Sequence, residues 1–180
     1  MNIRPFQDKL PEIAPGVYID ESALVIGDVA IGEDASVWPM TVIRGDVHKI
    51  HIGPRTNIQD GSIVHVTHDS EHAPGGYATH IGADVTIGHR AVVHACTVGD
   101  FCLIGMGAIV MDGAVIGDYA IIGAGCLVPG DKQLEGGHLY MGSPARQVRA
   151  LNDTEKGFLA YSAEHYVRLK NAHLRGDPLE

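Results

Sequence analysis

The sequence predicts an all-β fold, a parallel β-helix with three short strands per coil, followed by one C-terminal α-helix. Two observations carry this prediction. Aliphatic residues recur at every sixth position over most of the chain, and glycine often follows the aliphatic residue. A six-residue period fits neither the 3.6-residue turn of an α-helix nor a simple strand meander, but it fits flat strands joined by sharp turns and stacked into a prism.

The repeat keeps its period through three shifts of frame. After a first run from Val25 to Ile43, the aliphatic positions resume at Ile52, then at Ile81 after a longer insertion, and at Val98 after a one-residue deletion. A small residue often stands four places after the aliphatic one, which suits a crowded corner of the prism. A β-sandwich is the alternative for alternating glycine and aliphatic residues, but it does not explain a register that survives these shifts.

Helical spacing replaces the repeat near Asn152. This residue can cap a helix because Glu155 lies three positions later, the spacing of a capping box. Apolar residues follow at helical spacing from Phe158 to Leu169, and Gly176 lies beyond the expected end. We therefore predict one domain over residues 1–180. It comprises a β-helix over about 15–150 and a helix over about 152–175, packed along the prism.

Composition excludes several classes of protein. A chain of 180 residues can bury a core without disulfides, and its net charge of −9 argues against nucleic acid or an anionic membrane as a partner. The sequence shows neither a membrane-spanning segment nor the apolar run of a signal peptide. Three cysteines without a paired framework suit a reducing compartment, so we expect a cytoplasmic protein.

Three hexapeptides per coil place two histidines in one column. Arg44, His65 and His94 each become the second residue of the first strand of a coil. Adjacent coils are about 4.8 Å apart, so His65 and His94 stack on one outward face at a spacing that suits a shared metal ion. His89 falls around a corner, in the slot that Asp60 has one coil lower. In a threefold assembly the corner of one prism can contact the face of the next, which predicts a metal site shared between subunits.

Several strings around these residues resemble the gamma carbonic anhydrase family. They are Arg44-Gly45-Asp46, Asn57-Ile58-Gln59-Asp60-Gly61, Val64-His65, Ile87-Gly88-His89, Val93-His94 and Tyr140-Met141-Gly142-Ser143-Pro144-Ala145. The resemblance covers nearly the entire chain. It implies a left-handed parallel β-helix that forms homotrimers with metal sites at the subunit interfaces. It also implies reversible hydration of CO2 to bicarbonate by metal-bound hydroxide.

The resemblance assigns a role to each site residue. The ligands of zinc, or alternatively of iron or cobalt, would be His65, His89 and His94. Gln59 would position the metal-bound hydroxide. Arg44 and Asp60 would form an intersubunit salt bridge beside the site, supported by Asp46, and Tyr140 would approach the substrate pocket. For each of these residues, a place in the trimer interface without a catalytic role is the alternative.

The chain departs from the archetype of this family in two places. Val47 stands directly after Arg-Gly-Asp, where the archetype has a glutamate, and residues 68–72 read His-Asp-Ser-Glu-His in place of a glutamate-bearing loop. Because those glutamates assist proton transfer, their absence predicts weak or absent hydration of CO2. As a histidine in this insertion, His68 is the residue that we expect to carry the proton instead. An ordinary polar loop is the alternative.

Two other functions stay open. Many hexapeptide-repeat proteins are CoA-dependent acyltransferases, which use one histidine as a general base and need a groove for pantetheine between prisms. A non-catalytic trimeric scaffold stabilised by metal is the third possibility. An acyltransferase should keep its activity after chelation, whereas a scaffold should lose thermal stability without losing any hydration chemistry.

Overall fold

The chain forms the predicted parallel β-helix along most of its length. The computed structural model describes residues 2–176, in which twenty short strands precede one helix. In chain order the strands are β1 (Ile3–Arg4), β2 (Glu12–Ile13), β3 (Tyr18–Ile19), β4 (Leu24–Ile31), β5 (Ser36–Val37), β6 (Val42–Ile52), β7 (Asn57–Ile58), β8 (Ile63–His65), β9 (Thr79–Ile81), β10 (Thr86–Ile87), β11 (Val92–His94), β12 (Thr97–Val98), β13 (Leu103–Ile104), β14 (Ile109–Val110), β15 (Val115–Ile116), β16 (Ile121–Ile122), β17 (Leu127–Val128), β18 (Gln133–Leu134), β19 (His138–Met141) and β20 (Arg146–Ala150).

Parallel pairing between successive coils gives the prism three faces, each with a column of inward residues. In the first face these are Val25, Ile43, Val64, Val93, Val110 and Val128. In the second they are Ile13, Ile31, Ile52, Ile81, Val98, Ile116 and Leu134. In the third they are Ile19, Val37, Ile58, Ile87, Ile104, Ile122 and Tyr140. Every aliphatic position of the predicted repeat lies in one of these columns and is buried.

The corner between the third and first faces turns through left-handed backbone. Gly61, Arg90 and Gly107 stand there in successive coils with φ of 68°, 59° and 67°. A residue with this backbone conformation turns the chain sharply from one face to the next, and glycine adopts it without steric cost. The turn separates His89, at the end of the third face, from His94 on the first face.

The β-helix begins earlier than the repeat predicts. Strands β1 and β2 both pair in parallel with β4, so the stacking starts at Ile3 and not near residue 15. The spacing of Ile3 and Ile13 does not fit a six-residue period, which is why the periodicity misses this first coil. At the other end, β20 pairs antiparallel with β19 and ends the stacking on the third face.

The C-terminal helix α1 (Asp153–Arg175) confirms the predicted element. Asn152 accepts a hydrogen bond from the Glu155 amide and Glu155 accepts one from the Asn152 amide, which completes the predicted capping box, and Gly176 ends the helix with φ of 72°. The helix packs on the third face, where Lys170 is buried and its Nζ donates to the Gly16 carbonyl oxygen at 2.6 Å. Between residues 2 and 176 no helix has the length and apolar character needed to cross a membrane.

Stability should depend on the inward columns. We expect Ile104→Ala to lower the free energy of unfolding by about 2–5 kcal/mol, because Ile104 is fully buried in the middle of the third face and the truncation leaves a cavity. Val115→Ala is the matched control, since Val115 points outward on the second face and its loss should cost less than about 1 kcal/mol. Denaturant unfolding measures both changes, and an equal loss in the two variants would contradict the assignment of the columns.

Candidate metal centre

Two histidines stand side by side on the outer surface of the first face. His65 ends β8 and His94 ends β11, and the two residues are in-register partners in adjacent coils. Their ring centroids are 5.1 Å apart, and His65 Nδ1 faces His94 Nε2 at 3.1 Å. Because the preceding residues, Val64 and Val93, point inward, strand alternation directs both imidazoles outward. The structure therefore forms the stacked pair that the register predicts.

A carboxylate holds the far side of each ring. Asp46 Oδ1 lies 3.0 Å from His65 Nε2, and Asp112 Oδ1 lies 2.7 Å from His94 Nδ1. An ionised carboxylate only accepts hydrogen bonds, so the ring nitrogen that faces it carries the hydrogen. The two nitrogens that face each other, His65 Nδ1 and His94 Nε2, are then left with lone pairs. Carboxylates that fix the tautomer and orientation of an imidazole in this way are typical of metal-binding histidines.

Electrostatics favour the neutral form of His65 and the ionised forms of Asp46 and Asp112. Desolvation by burial lowers the pKa of His65 below its usual value, so this imidazole is neutral at pH 7 and can present a lone pair. Burial favours protonation of Asp46, but its hydrogen bonds with Arg44 and His65 outweigh that effect and lower its pKa. Burial also favours protonation of Asp112, but its hydrogen bonds with Thr67 and His94 outweigh that effect and lower its pKa. Both carboxylates are therefore ionised.

The distance between the facing nitrogens fits a zinc ion. Two ligands of a tetrahedral zinc, each about 2.0–2.1 Å from the ion, are about 3.3–3.4 Å apart. The observed separation of 3.1 Å is within a few tenths of an ångström of that value. The donor set and its geometry thus suit zinc, and imidazoles also accept iron and cobalt.

His89 lies around the corner, with a carboxylate partner of its own. His89 Nδ1 is 2.8 Å from Asp60 Oδ2, and the two side chains are 46% and 49% exposed. The contact with Asp60 uses the Nδ1 nitrogen of His89 and not its Nε2 nitrogen. Among residues 2–176 of one chain, no three histidine, cysteine or acidic side chains converge on a point where they could hold a metal ion. The structure therefore brings together His65 and His94 but not His89.

Two other predicted site residues, Arg44 and Gln59, lie on different faces of the prism. Arg44 follows Ile43 as His65 follows Val64, and its guanidinium contacts Asp46. Gln59 is buried on the third face, across the corner, where its Nε2 donates to Asn57 Oδ1 at 3.1 Å.

His68 is exposed in the segment that follows His65. Its role as a proton carrier stays a prediction, and so does the intersubunit salt bridge between Arg44 and Asp60. In the single chain, Arg44 bonds with Asp46 and Asp60 bonds with His89.

Tyr140 does not lie beside the histidine pair. It occupies an inward position of the third face, three coils beyond Ile87, which corresponds to about 14 Å along the prism. Its ring is buried in the core, and its hydroxyl donates to the Glu135 carbonyl oxygen at 2.9 Å. The role that the resemblance assigns to Tyr140 is therefore corrected to packing at the end of the β-helix, and we remove this residue from the candidate site.

Sequence reasoning missed Asp112, Thr67 and Thr79. Asp112 comes one residue after Met111, which follows Val110 as His94 follows Val93, so the register alone places this carboxylate one coil above the pair. Thr67 contacts Asp112, and Thr79 Oγ1 donates to the His65 carbonyl oxygen at 2.5 Å. The repeat carries no signal for the two threonines, because they stand at the ends of an insertion.

The chain is similar to known proteins along nearly its whole length. It is 55% identical over 172 residues to protein YrdA of Escherichia coli K12, and the alignment covers 96% of this chain and 94% of that protein. It is 44% identical over 157 residues to a probable carbonic anhydrase of Methanocaldococcus jannaschii, with 87% of this chain and 94% of that one covered. It is also 44% identical over 166 residues to mitochondrial gamma carbonic anhydrase 1 of Arabidopsis thaliana, covering 92% of this chain and 60% of that longer protein.

Solved structures show the same architecture. A putative acetyltransferase of Bacillus cereus has a TM-score of 0.89 at 36% identity, covering 96% of this chain and 98% of that one. A hexapeptide transferase family protein of Anaplasma phagocytophilum has a TM-score of 0.87 at 40% identity, covering 95% and 97%. The family described as bacterial transferase hexapeptide (six repeats) matches residues 95–130. With relatives named as carbonic anhydrases at 44% identity over most of its length, the chain belongs to the gamma carbonic anhydrase-like family of hexapeptide-repeat proteins.

Proposed function

We propose that the chain forms a homotrimer that binds zinc between neighbouring subunits and interconverts CO2 and bicarbonate there. The observation that carries the proposal is the His65–His94 pair, whose facing nitrogens are 3.1 Å apart and whose outer nitrogens are each held by a carboxylate. This is the arrangement of zinc-binding imidazoles and their hydrogen-bonded partners. The relatives named as carbonic anhydrases support the choice of reaction.

The third ligand in this proposal is the partner subunit's His89. In the single chain His89 projects from a corner, half exposed and already oriented by Asp60. A corner can insert against the flat first face of a neighbouring prism, where His65 and His94 supply the other two nitrogens. Three imidazoles from two subunits would give the three-protein-ligand set that catalytic zinc sites use.

An apolar column on the first face supports contact with a second copy. Outward residues of successive coils next to the histidine pair are apolar, namely Val42, Ile63, Val92, Ile109 and Leu127. Ile63 is 45% exposed and Ile109 is 38% exposed in the single chain. A contiguous exposed apolar surface of this kind marks a protein interface more often than a solvated face. A neighbouring prism on this face would cover the column and reach the histidines.

The residues of this chain have separate tasks in the proposed reaction. A bound zinc ion would supply a nucleophile at neutral pH, because zinc in carbonic anhydrase lowers the pKa of water to about 7. Asp46 and Asp112 contact one nitrogen of His65 and of His94 respectively, and would hold the two imidazoles in place for binding. Arg44 contacts Asp46 and would help to fix that carboxylate against His65. His68 would pass the released proton to buffer.

Metal analysis of anaerobically purified protein, coupled to stopped-flow measurement of CO2 hydration, tests this function. We expect about one zinc, iron or cobalt ion per subunit, because each interface of a cyclic trimer uses one histidine pair and one His89. His94→Ala should lose the metal and the hydration activity together, whereas His138→Ala, far along the prism, should keep both. Wild-type protein that is fully folded but metal-free under these conditions would contradict the proposal. Protein that binds metal but does not hydrate CO2 would instead support the non-catalytic scaffold.

An acyltransferase is the second candidate, favoured by the likeness to the putative acetyltransferase of Bacillus cereus at 36% identity. Such an enzyme would transfer an acyl group from CoA with one histidine as base and would need no metal. Acetyl-CoA turnover that persists after complete chelation would favour this candidate. Loss of CO2 hydration on chelation, in a protein that does not turn over acetyl-CoA, would favour the carbonic anhydrase.

Mixing two inactive variants tests the shared site. We expect His65→Ala protein refolded with His89→Ala protein to regain about one quarter of the wild-type metal content. In randomly mixed trimers about that fraction of interfaces joins an intact histidine pair to an intact His89. Metal analysis and hydration rates measure the recovery.

The matched control mixes His65→Ala with His94→Ala protein. Both substitutions damage the same half of the site, so no interface of a mixed trimer holds three intact ligands and no recovery is expected. Equal recovery in the two mixtures would show that the three histidines are not divided between subunits as proposed.

A further inference from the structure

The segment between Thr67 and Thr79 is an ordered hairpin beside the histidine pair. Thr67 and Tyr77 exchange backbone hydrogen bonds of 3.0 and 2.9 Å at its neck. Near its tip, Asp69 Oδ1 accepts a hydrogen bond of 2.7 Å from the Gly75 amide. This insertion therefore has a defined shape, closed by its own hydrogen bonds, where it leaves the first face.

Both ends of the hairpin are hydrogen-bonded to residues that surround the candidate ligands. At its end, Thr79 Oγ1 donates to the His65 carbonyl oxygen at 2.5 Å and accepts from the Ala95 amide at 2.9 Å. The Thr79 hydroxyl thus bridges the coil of His65 and the coil of His94. At its start, the Thr67 hydroxyl donates to Asp112 Oδ2.

The carboxylate of Asp112 serves two partners at once. Its Oδ1 accepts from His94 Nδ1 at 2.7 Å, and its Oδ2 accepts from the hydroxyl of Thr67. The chain then continues to Gly113, whose amide donates to the Ala95 carbonyl oxygen at 2.8 Å, so the backbone that carries Asp112 is fixed to the coil of His94. One side chain therefore connects a candidate metal ligand with the first residue of the hairpin.

We propose that Asp112 is a positioning residue that orients His94 toward the metal and, through Thr67, couples the order of the hairpin 67–79 to metal binding. The inference rests on the proposed metal site. Without Asp112 the His94 ring can rotate or exchange tautomers, and its Nε2 lone pair no longer points toward His65 Nδ1. Coupling between two equilibria is reciprocal. If the closed hairpin favours the binding orientation of His94, bound metal favours the closed hairpin by the same factor.

Two readouts test the inference, neither of which is enzymatic activity. The first is zinc affinity, measured by competition with a chromophoric chelator. We expect Asp112→Ala to weaken zinc binding by about 10–100-fold, the usual effect of removing a partner of a metal-binding histidine. Asp112→Asn, which keeps the shape but loses the charge, should weaken it by a smaller factor. Cobalt-substituted protein should show an altered visible absorption spectrum in both variants, because the coordination geometry changes.

The second readout is amide hydrogen exchange across residues 67–79 with and without zinc. In the wild type we expect zinc to slow exchange in the hairpin. Thr67→Val should abolish this zinc-dependent protection and weaken zinc binding by the same coupling factor. This loss should be smaller than that of Asp112→Ala, since the bond between Asp112 and His94 remains. Asp69→Asn is the matched control, because its carboxylate lies in the same hairpin and bonds only within it. That variant should retain the zinc affinity and the protection at the hairpin neck.

The outcomes separate this inference from the proposed function. Wild-type protein that binds no metal would defeat the proposed function itself. Wild-type protein that binds zinc, with unchanged affinity and cobalt spectrum in a folded Asp112→Asn or Asp112→Ala variant, would overturn the positioning role. Zinc-dependent protection that survives in Thr67→Val would overturn the coupling to the hairpin. Thermal melting of each variant shows that it is folded, and Asp112→Asn serves if the alanine variant does not fold.

Discussion

The in-register pairing of parallel strands is the constraint on which the site depends. Val64 and Val93 point into the core as partners in adjacent coils, and this pairing fixes His65 and His94 side by side on the outside. Side chains alternate along a strand, so a slip of one residue would turn one imidazole into the core and bring a valine to the surface. The insertion after His65 leaves the ladder and returns to it without disturbing the register. The side-by-side placement of the two histidines is thus a consequence of core packing.

The sequence predicts the features that follow from this period. The inward columns, the stacked histidines, the His89–Asp60 slot and the capping box at Asn152 all depend on residue spacing, and the structure has each of them. The rotamers of side chains in turns and the path of an insertion do not follow this period. For that reason the contact of Thr67 with Asp112 could not be predicted, although the register alone was sufficient to bring Asp112 near His94.

Tyr140 shows the limit of reading a site from a matching string. Its neighbours match the family, but its own register partner is Ile122, so it takes the inward place that an aliphatic residue fills elsewhere. At the end of the prism a tyrosine ring can close the apolar column while its hydroxyl reaches the Glu135 carbonyl oxygen, which satisfies a polar atom that would otherwise be buried alone. Position in the repeat therefore decided the role of this residue.

Each of the three candidate ligands has an aspartate partner within its own chain, and this bears on how a shared site can form. His65, His89 and His94 are paired with Asp46, Asp60 and Asp112 respectively. Rings that are already oriented before two subunits meet lose less conformational freedom on assembly, so more of the metal-binding free energy remains to hold the interface together. His65 Nδ1 and His94 Nε2 are 3.1 Å apart, so in the proposed site little movement of either ring would be needed to bind a shared ion. Under the proposed function, metal binding and assembly would therefore stabilise each other.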